Sequence, residues 1–249
     1  MSNLFYPEFL DFMIECEALL FGDFTLKSGR RSPYFINTGK YETGNHLSKL
    51  GDFYAKLIHN SVRPPEKAGN VYEKLEASQR EAIKKNIGFN VLFGPAYKGI
   101  PLATVTAAKL ALDDIELNVS FDRKERKDHG EGNFIMGYYP QDNDRIAIID
   151  DVTTAGTSVR EIVALLKKQN IKAKVVALYI AVDRMEKGIK DISAVTEIKQ
   201  EFGIDVYAIA TVNDIIEYLE KTPENCRPVK DSDIHAANIR DYLKQYGAE

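Results

Sequence analysis

Asp150 and Asp151 stand side by side at the end of the apolar run Ile146, Ala147, Ile148, Ile149, and the turn behind them supplies Thr153, Thr154, Gly156, Thr157 and Ser158. A small-residue turn between a buried strand and a helix start aims unpaired backbone N–H groups at one spot, where the helix dipole favours an anion. A phosphate monoester suits that spot. Two carboxylates beside it would repel the phosphate unless sugar hydroxyls, which donate to carboxylates, or a divalent cation offset them. The ligand class implied is a phosphorylated sugar with vicinal hydroxyls. The bland alternative is that both acids end a strand and cap the next helix, and Ser158 with Glu161 fits a capping box.

Two further segments carry chemistry. In FGPAYKGIP (93–101) two glycines and two prolines fix a tight turn that points Tyr97 and Lys98 outward and lets backbone N–H groups approach a diphosphate. Alone it would pass for an ordinary strand-to-helix connection with a solvated lysine. FDRKERKDHGEGNF (121–134) gathers Arg123, Lys124, Arg126, Lys127 and His129 ahead of Gly130 and Gly132. With few apolar anchors it reads as a loop able to close over a diphosphate leaving group and exclude water; the alternative is a solvated charged hairpin. Arg184 follows the run KVVALYIAVD, where a guanidinium is suited to a carboxylate in a planar two-point contact or to pairing with Asp183 or Glu186.

The elements that must position these groups alternate from residue 91 onward. VLFGP, a helix over 101–112, ELNVSF, the strand 145–151 and its helix, KVVALYIAVD, a helix near 190–202 and VYAIATV predict a parallel sheet with helices on both faces. Ligands of such sheets sit at the carboxyl ends of the strands, where each motif falls. Upstream, residues 4–20 repeat apolar positions at helical spacing, 22–45 is polar with short strand-like pieces, and a second helix covers 46–60. The charged stretch 62–88 reads as a surface insertion, with Val71, Leu75, Ala82 and Ile83 on one face of a short helix.

A length of 249 residues suits one α/β domain carrying insertions. The formal charge of −4 argues against a general nucleic-acid binder, so any anion site is a local concentration of cations. Cys16 and Cys226 make neither a disulfide framework nor a zinc site. No apolar stretch approaches ~20 residues, and the acidic amino terminus is unlike a signal peptide, so the expected location is the cytoplasm, away from membranes.

The segment RIAIIDDVTTAGTS (145–158) resembles the ribose-phosphate signature of the type I phosphoribosyltransferases, which use 5-phosphoribosyl 1-diphosphate. RKERKDHGEG within the cationic loop, FTLKSGRRSPYF (24–35) and FGPAYKGIP resemble, in order and spacing, the signatures of the orotate phosphoribosyltransferases. Asn133 stands where a second loop glycine is usual, and Ile36 where a second Phe is common.

The resemblance implies a central, mostly parallel sheet with a small hood formed largely by the N-terminal region. It places Lys27, Phe35, Ile36, Thr154 and Arg184 at orotate. It places Lys27, Tyr97, Lys98, Arg123, Lys124, Lys127 and His129 at 5-phosphoribosyl 1-diphosphate, and the run Asp150, Asp151, Val152, Thr153, Thr154, Ala155, Gly156, Thr157 and Ser158 at its ribose and 5-phosphate. Lys124, Lys127, His129, Asp150 and Asp151 would bear on the chemistry. It further implies Mg²⁺ carried mainly by the substrate, and a homodimer in which loop 121–134 reaches the neighbouring site. Two rivals share the 145–158 segment: a transferase for another nucleobase, which leaves Lys27 and Arg184 without an anionic base to face, and an inactive regulator that binds the same metabolite, which has little use for the cationic loop.

Overall fold

In a computed structural model, residues 6–26, 29–62, 75–124, 134–153, 156–188, 191–222 and 229–248 are described. Helix α1 (Pro7–Glu15) opens on a proline, whose missing N–H costs nothing in a first turn. The helical spacing expected through residue 20 breaks early: Glu17 takes a left-handed φ of 55° and the Ala18 N–H closes on the Met13 carbonyl at 2.7 Å. Leu19 therefore starts strand β1 (Leu19–Thr25), which pairs antiparallel with β2 (Arg31–Ile36) to form the two-stranded hood.

Helix α2 (Gly44–Ser61) begins where the Thr43 side chain accepts the His46 N–H at 3.1 Å. In the insertion, α3 (Ala77–Asn86) is started by a reciprocal cap between Glu76 and Gln79. Of the face expected there, Ile83 is fully buried and Leu75 partly so, Ala82 is exposed, and Val71 lies outside the described residues.

The larger sheet holds β3 (Val91–Gly94), β4 (Asn118–Asp122), β5 (Ile135–Gly137), β6 (Arg145–Thr153), β7 (Lys174–Asp183) and β8 (Asp205–Thr211), in the order β5-β4-β3-β6-β7-β8. All neighbours run parallel except the short edge strand β5, which the sequence pattern did not announce. Ile146 to Ile149 are all fully buried, as befits a strand covered on both sides. Alternation along β6 divides them: Ala147 and Ile149 join the cluster containing α2 and α4 (Gly99–Leu112), whereas Ile146 and Ile148 join that of α5 (Thr157–Lys168) and α6 (Ala194–Phe202). Each such isoleucine contributes about 1.5–3 kcal/mol relative to exposure.

The order in which successive strands are added to the sheet reverses between the parallel neighbours β3 and β6. The crossover from β3 to β4 passes over one face through α4, and that from β6 to β7 over the other through α5, which opens a crevice at the strands' carboxyl ends. Helices α7 (Val212–Lys221) and α8 (Ser232–Tyr246) complete the chain. Helix α8 packs on β2, so the hood is built from both ends of the chain. Among the described residues, no helix is long and apolar enough to cross a membrane.

Candidate active site

The pleat of β6 sends its two terminal carboxylates to different neighbours. Asp150 turns toward α5, where Ser158 donates to its Oδ2, while the Asp151 N–H donates to its Oδ1 at 2.9 Å. The Asp150 carbonyl accepts from the buried Tyr54 hydroxyl of α2 at 2.7 Å. Asp151 faces the hood side: its Oδ2 accepts from Thr38 Oγ1 at 2.5 Å and Lys98 Nζ at 2.9 Å, and its Oδ1 from the Val152 N–H at 2.8 Å. Lys98 also donates to Thr38 Oγ1 at 2.8 Å, so lysine, threonine and aspartate close a ring.

Electrostatics separate the pair. Burial, then the adjacent Asp151 charge, pushes Asp150 up to about 6 against the hydrogen bond from Ser158. Burial works against Asp151 as well, but the hydrogen bonds from Thr38 and Lys98, together with the lysine charge, outweigh it and hold that carboxyl below its ordinary value. One acid is poised near neutrality; its neighbour is firmly ionised.

The turn after β3 brings Lys98 to this place. Any Cβ on Gly94 would lie 2.1 Å from the Gly99 carbonyl oxygen, and one on Gly99 would meet Pro95 Cδ at 2.6 Å, so two backbone segments touch where only glycine fits. The Ala96 N–H donates to Asp122 Oδ1 at 2.5 Å, tying the turn to the end of β4. Tyr97 and Lys98 do point outward, with Tyr97 69% exposed.

Gly156, at a φ of 66°, leads into α5. A Cβ there would strike Ile198 Cγ1 at 2.7 Å. The expected capping box is absent: the helix starts at Thr157 without a side-chain cap, because Ser158 is spent on Asp150 and Glu161 accepts from Lys124 Nζ at 2.8 Å. Lys124 thereby spans from β4 to α5, its ammonium stabilised chiefly by that hydrogen bond. Arg123 lies beside it with a buried Nε that has no hydrogen-bond partner among the described residues.

A cavity of about 260 Å³ opens against Asp151 and Lys98, lined also by Thr38, Tyr41, Tyr54 and Leu50. A larger cleft of about 700 Å³ lies near the starts of β6 and β7, where it meets Arg145 and Lys174, and touches neither carboxylate. Geometry and chemistry favour the smaller one.

The base-side residues stand elsewhere. Phe35 stacks on Phe24 with centroids 5.5 Å apart, and the Ile36 side chain is buried in the core. Arg184 is buried, unlike the surface pair that was the alternative, and pairs with Glu186, its Nε and Nη2 both 2.7 Å from Oε1; Ser32 and Tyr34 complete its surroundings. Lys27, Lys127, His129, Thr154, Ala155 and the Thr153 side chain lie outside the described residues. Thr38, Tyr54 and Tyr242 are partners that sequence reading did not single out, whereas Glu186 is one of the two partners it names for Arg184. Only Thr38 had a nearby cue, falling just past the FTLKSGRRSPYF segment.

Comparison with known proteins identifies the family. A phosphoribosyl transferase domain matches residues 66–210. An orotate phosphoribosyltransferase of Lachnoclostridium phytofermentans is 42% identical over 97% of both chains, and one of Vibrio cholerae is 40% identical over 96% of this chain and 97% of its own. The crystal structure of orotate phosphoribosyltransferase from Francisella tularensis superposes with a TM-score of 0.74 at 35% identity, covering 97% of this chain and all of that one. With coverage that complete at such identity, the chain belongs to the orotate phosphoribosyltransferase family.

Proposed function

We infer that the protein transfers the 5-phosphoribosyl group from 5-phosphoribosyl 1-diphosphate to orotate, giving orotidine 5-monophosphate and diphosphate, a step of pyrimidine biosynthesis. The observation that carries this reading is the Asp150–Asp151 pair at the switch between β3 and β6, with Lys98 2.9 Å from one acid and the start of α5 beside the other.

The ring nitrogen of orotate forms the new bond to the anomeric carbon and gives up its proton to the departing diphosphate or to solvent, while the carbon–oxygen bond to diphosphate breaks and its electron pair leaves with diphosphate. No protein nucleophile is needed. The protein's part is to position both substrates, hold the leaving charge and keep water from an oxocarbenium-like centre. Asp150 and Asp151 accept from the ribose hydroxyls, and the turn through Val152, Thr153, Thr154, Ala155, Gly156, Thr157 and Ser158 holds the 5-phosphate. Tyr97, Lys98, Arg123, Lys124, Lys127 and His129 serve the diphosphate. Lys27, Phe35, Ile36, Thr154 and Arg184 serve the base, Arg184 through its carboxylate. Lys98 must loosen from Asp151 as the sugar arrives, and the diphosphate supplies the competing charge.

Magnesium fits this donor set in a limited way. Asp150 and Asp151 offer one or two carboxylate ligands, and among the described residues no group of three or more His, Cys, Asp or Glu gathers to hold an ion alone. Such a cation would be held mainly by substrate oxygens, with Asp150 or Asp151 adding one or two ligands, as is common for Mg²⁺. Bound there, it would offset the charge of the departing diphosphate. Activity that persisted unchanged after thorough chelation would refute the requirement.

The proposal extends to a single phosphoribosyltransferase domain with a surface insertion near 62–88, working in the cytoplasm as a homodimer whose loop 121–134 enters the neighbouring site. Mixing a Lys127→Ala chain with an Asp151→Asn chain tests the sharing, because recovered activity requires one intact site assembled from two chains. For the reaction itself, the protein is incubated with magnesium, 5-phosphoribosyl 1-diphosphate and each base in turn. Orotate should be consumed and uracil, adenine and guanine left; consumption of another base instead, or of none, defeats the reading.

A further inference from the structure

Glu186 sits where three distant parts of the chain meet. Its Oε1 lies 2.7 Å from both Arg184 Nε and Nη2 and accepts from the Tyr242 hydroxyl of α8 at 2.9 Å. Its Oε2 accepts from Arg30 Nη1, at the foot of the hood hairpin, at 3.3 Å. The Arg184 guanidinium rests 4.4 Å over the Tyr34 ring and donates from Nη2 to Ser32 Oγ at 3.4 Å. Arg184, Glu186 and Ser32 are all buried. The C-terminal segment pins the same loop: the Lys187 N–H donates to the Tyr246 carbonyl and the Ala248 N–H to the Met185 carbonyl, each at 2.9 Å.

A buried ion pair is a poor way to gain stability, since well-packed apolar groups of equal volume commonly do as well. What such a cluster does supply is orientation. A guanidinium recognises a carboxylate through a planar fork, so its plane must be aimed. Here one edge is gripped by Glu186 and one face lies on Tyr34.

We propose that Glu186, itself held by Tyr242, is a positioning residue that aims Arg184 at the anionic substituent of the base, which makes the C-terminal helix part of base selection. This rests on the reading of Arg184 as the ligand of the orotate carboxylate. Arg30, Ser32, Tyr34 and Tyr242 all fall outside residues 66–210, so the base-aiming apparatus is added from both ends of the chain onto the shared domain.

Steady-state kinetics of the full chain, with both substrates varied, decide the matter. Glu186→Gln keeps the volume but removes the charge, and should raise the orotate KM roughly tenfold while the KM for 5-phosphoribosyl 1-diphosphate stays within about twofold. Tyr242→Phe deletes only a hydroxyl and so puts folding least at risk; it should raise the orotate KM roughly threefold. In an Arg184→Gln background the Glu186→Gln effect should vanish, as expected of a group that acts through another. A merely structural role would instead lower Tm and kcat without splitting the two KM values, and would add to Arg184→Gln. An orotate KM that falls in Glu186→Gln, as it would if glutamate and substrate competed for Arg184, overturns the proposal. An unchanged orotate KM in Arg184→Gln defeats the underlying reading, whereas a raised one there with no change in Glu186→Gln or Tyr242→Phe defeats the positioning role alone.

Discussion

The proposed ribose-phosphate side of the cleft takes its groups from strand ends and the turns just behind them, while the proposed base side collects Arg30, Ser32, Tyr34, Arg184, Glu186 and Tyr242 from across the chain. On the first side Asp150 meets Ser158 eight residues on; on the second, Arg30 reaches Glu186 over 156 residues. Burial differs too. Lys98 keeps a side chain 59% exposed beside the nearly buried Asp151, whereas the Arg184 and Glu186 side chains are each 6% exposed. One side is a set of groups left ready to exchange partners with a charged ligand; the other is locked into a single arrangement. The difference teaches that a widely shared ligand can be met by a local acid pair and turn, completed by Thr38 and Lys98 from elsewhere in the chain, while a particular base must be met by a surface that tertiary packing aims throughout.

The comparison breaks most visibly at Asp151. Asp151→Asn removes the ionised acceptor of the Lys98 ion pair and the Thr38 hydrogen bond and should lower kcat/KM for 5-phosphoribosyl 1-diphosphate by about 10²-fold with little change in the orotate KM. Equal damage to both substrates would show that the two sides are not separable. Next in size is Gly99→Ala, which forces a Cβ against Pro95 Cδ at 2.6 Å and the Gly94 backbone at 2.8 Å. It should cost about 1–3 kcal/mol of stability, read as a Tm lower by several degrees in a thermal melt. A melt like that of the unaltered protein would mean the turn relaxes freely.

Thr38→Val sharpens the comparison more gently. The change deletes a donor to Asp151 and an acceptor for Lys98 while keeping shape, so the KM for 5-phosphoribosyl 1-diphosphate should rise about five- to tenfold, and the orotate KM should not move. A Tyr242→Phe chain measured beside it should show the reverse selectivity.

The smallest effect concerns pH. Asp150 is raised to about 6 in the folded protein from an ordinary 3.8, so the native state keeps a proton that the unfolded chain releases between those values. Its contribution to stability is full below about 4 and is lost as the pH climbs through 6. Asp150→Asn, which cannot ionise, should therefore gain Tm on the unaltered protein as the pH is taken from 5 to 8. A Tm difference that is flat over that range would show that burial does not disfavour the charge.

Legibility in the sequence followed the range of each interaction. The strand 145–151, the helix over 46–60, the turn of Tyr97 and Lys98 and the placement of motifs at strand ends could all be read from apolar spacing and glycines, because alternation and turn chemistry act within a few residues. Reading failed where local pattern was ambiguous. Leu19 and Leu20 extend a helical spacing yet pair in β1, once the left-handed Glu17 has reversed the chain. Ser158 and Glu161 have the spacing of a capping box, but Asp150 and Lys124 compete for them and win.

What the amino-acid order determined unaided is the parallel sheet and the presence of a strand, an acid pair and a hydroxyl-rich turn in immediate succession, since these depend on side-chain alternation and backbone geometry over about a dozen residues. What only the folded molecule decided is who meets whom across that frame: Thr38 and Lys98 on Asp151, Tyr54 on the Asp150 carbonyl, and Arg184 gripped by Glu186 beneath the C-terminal helix. Those partners are chosen by the packing of distant elements, because a buried charge or donor must take whichever complementary group the core brings within reach.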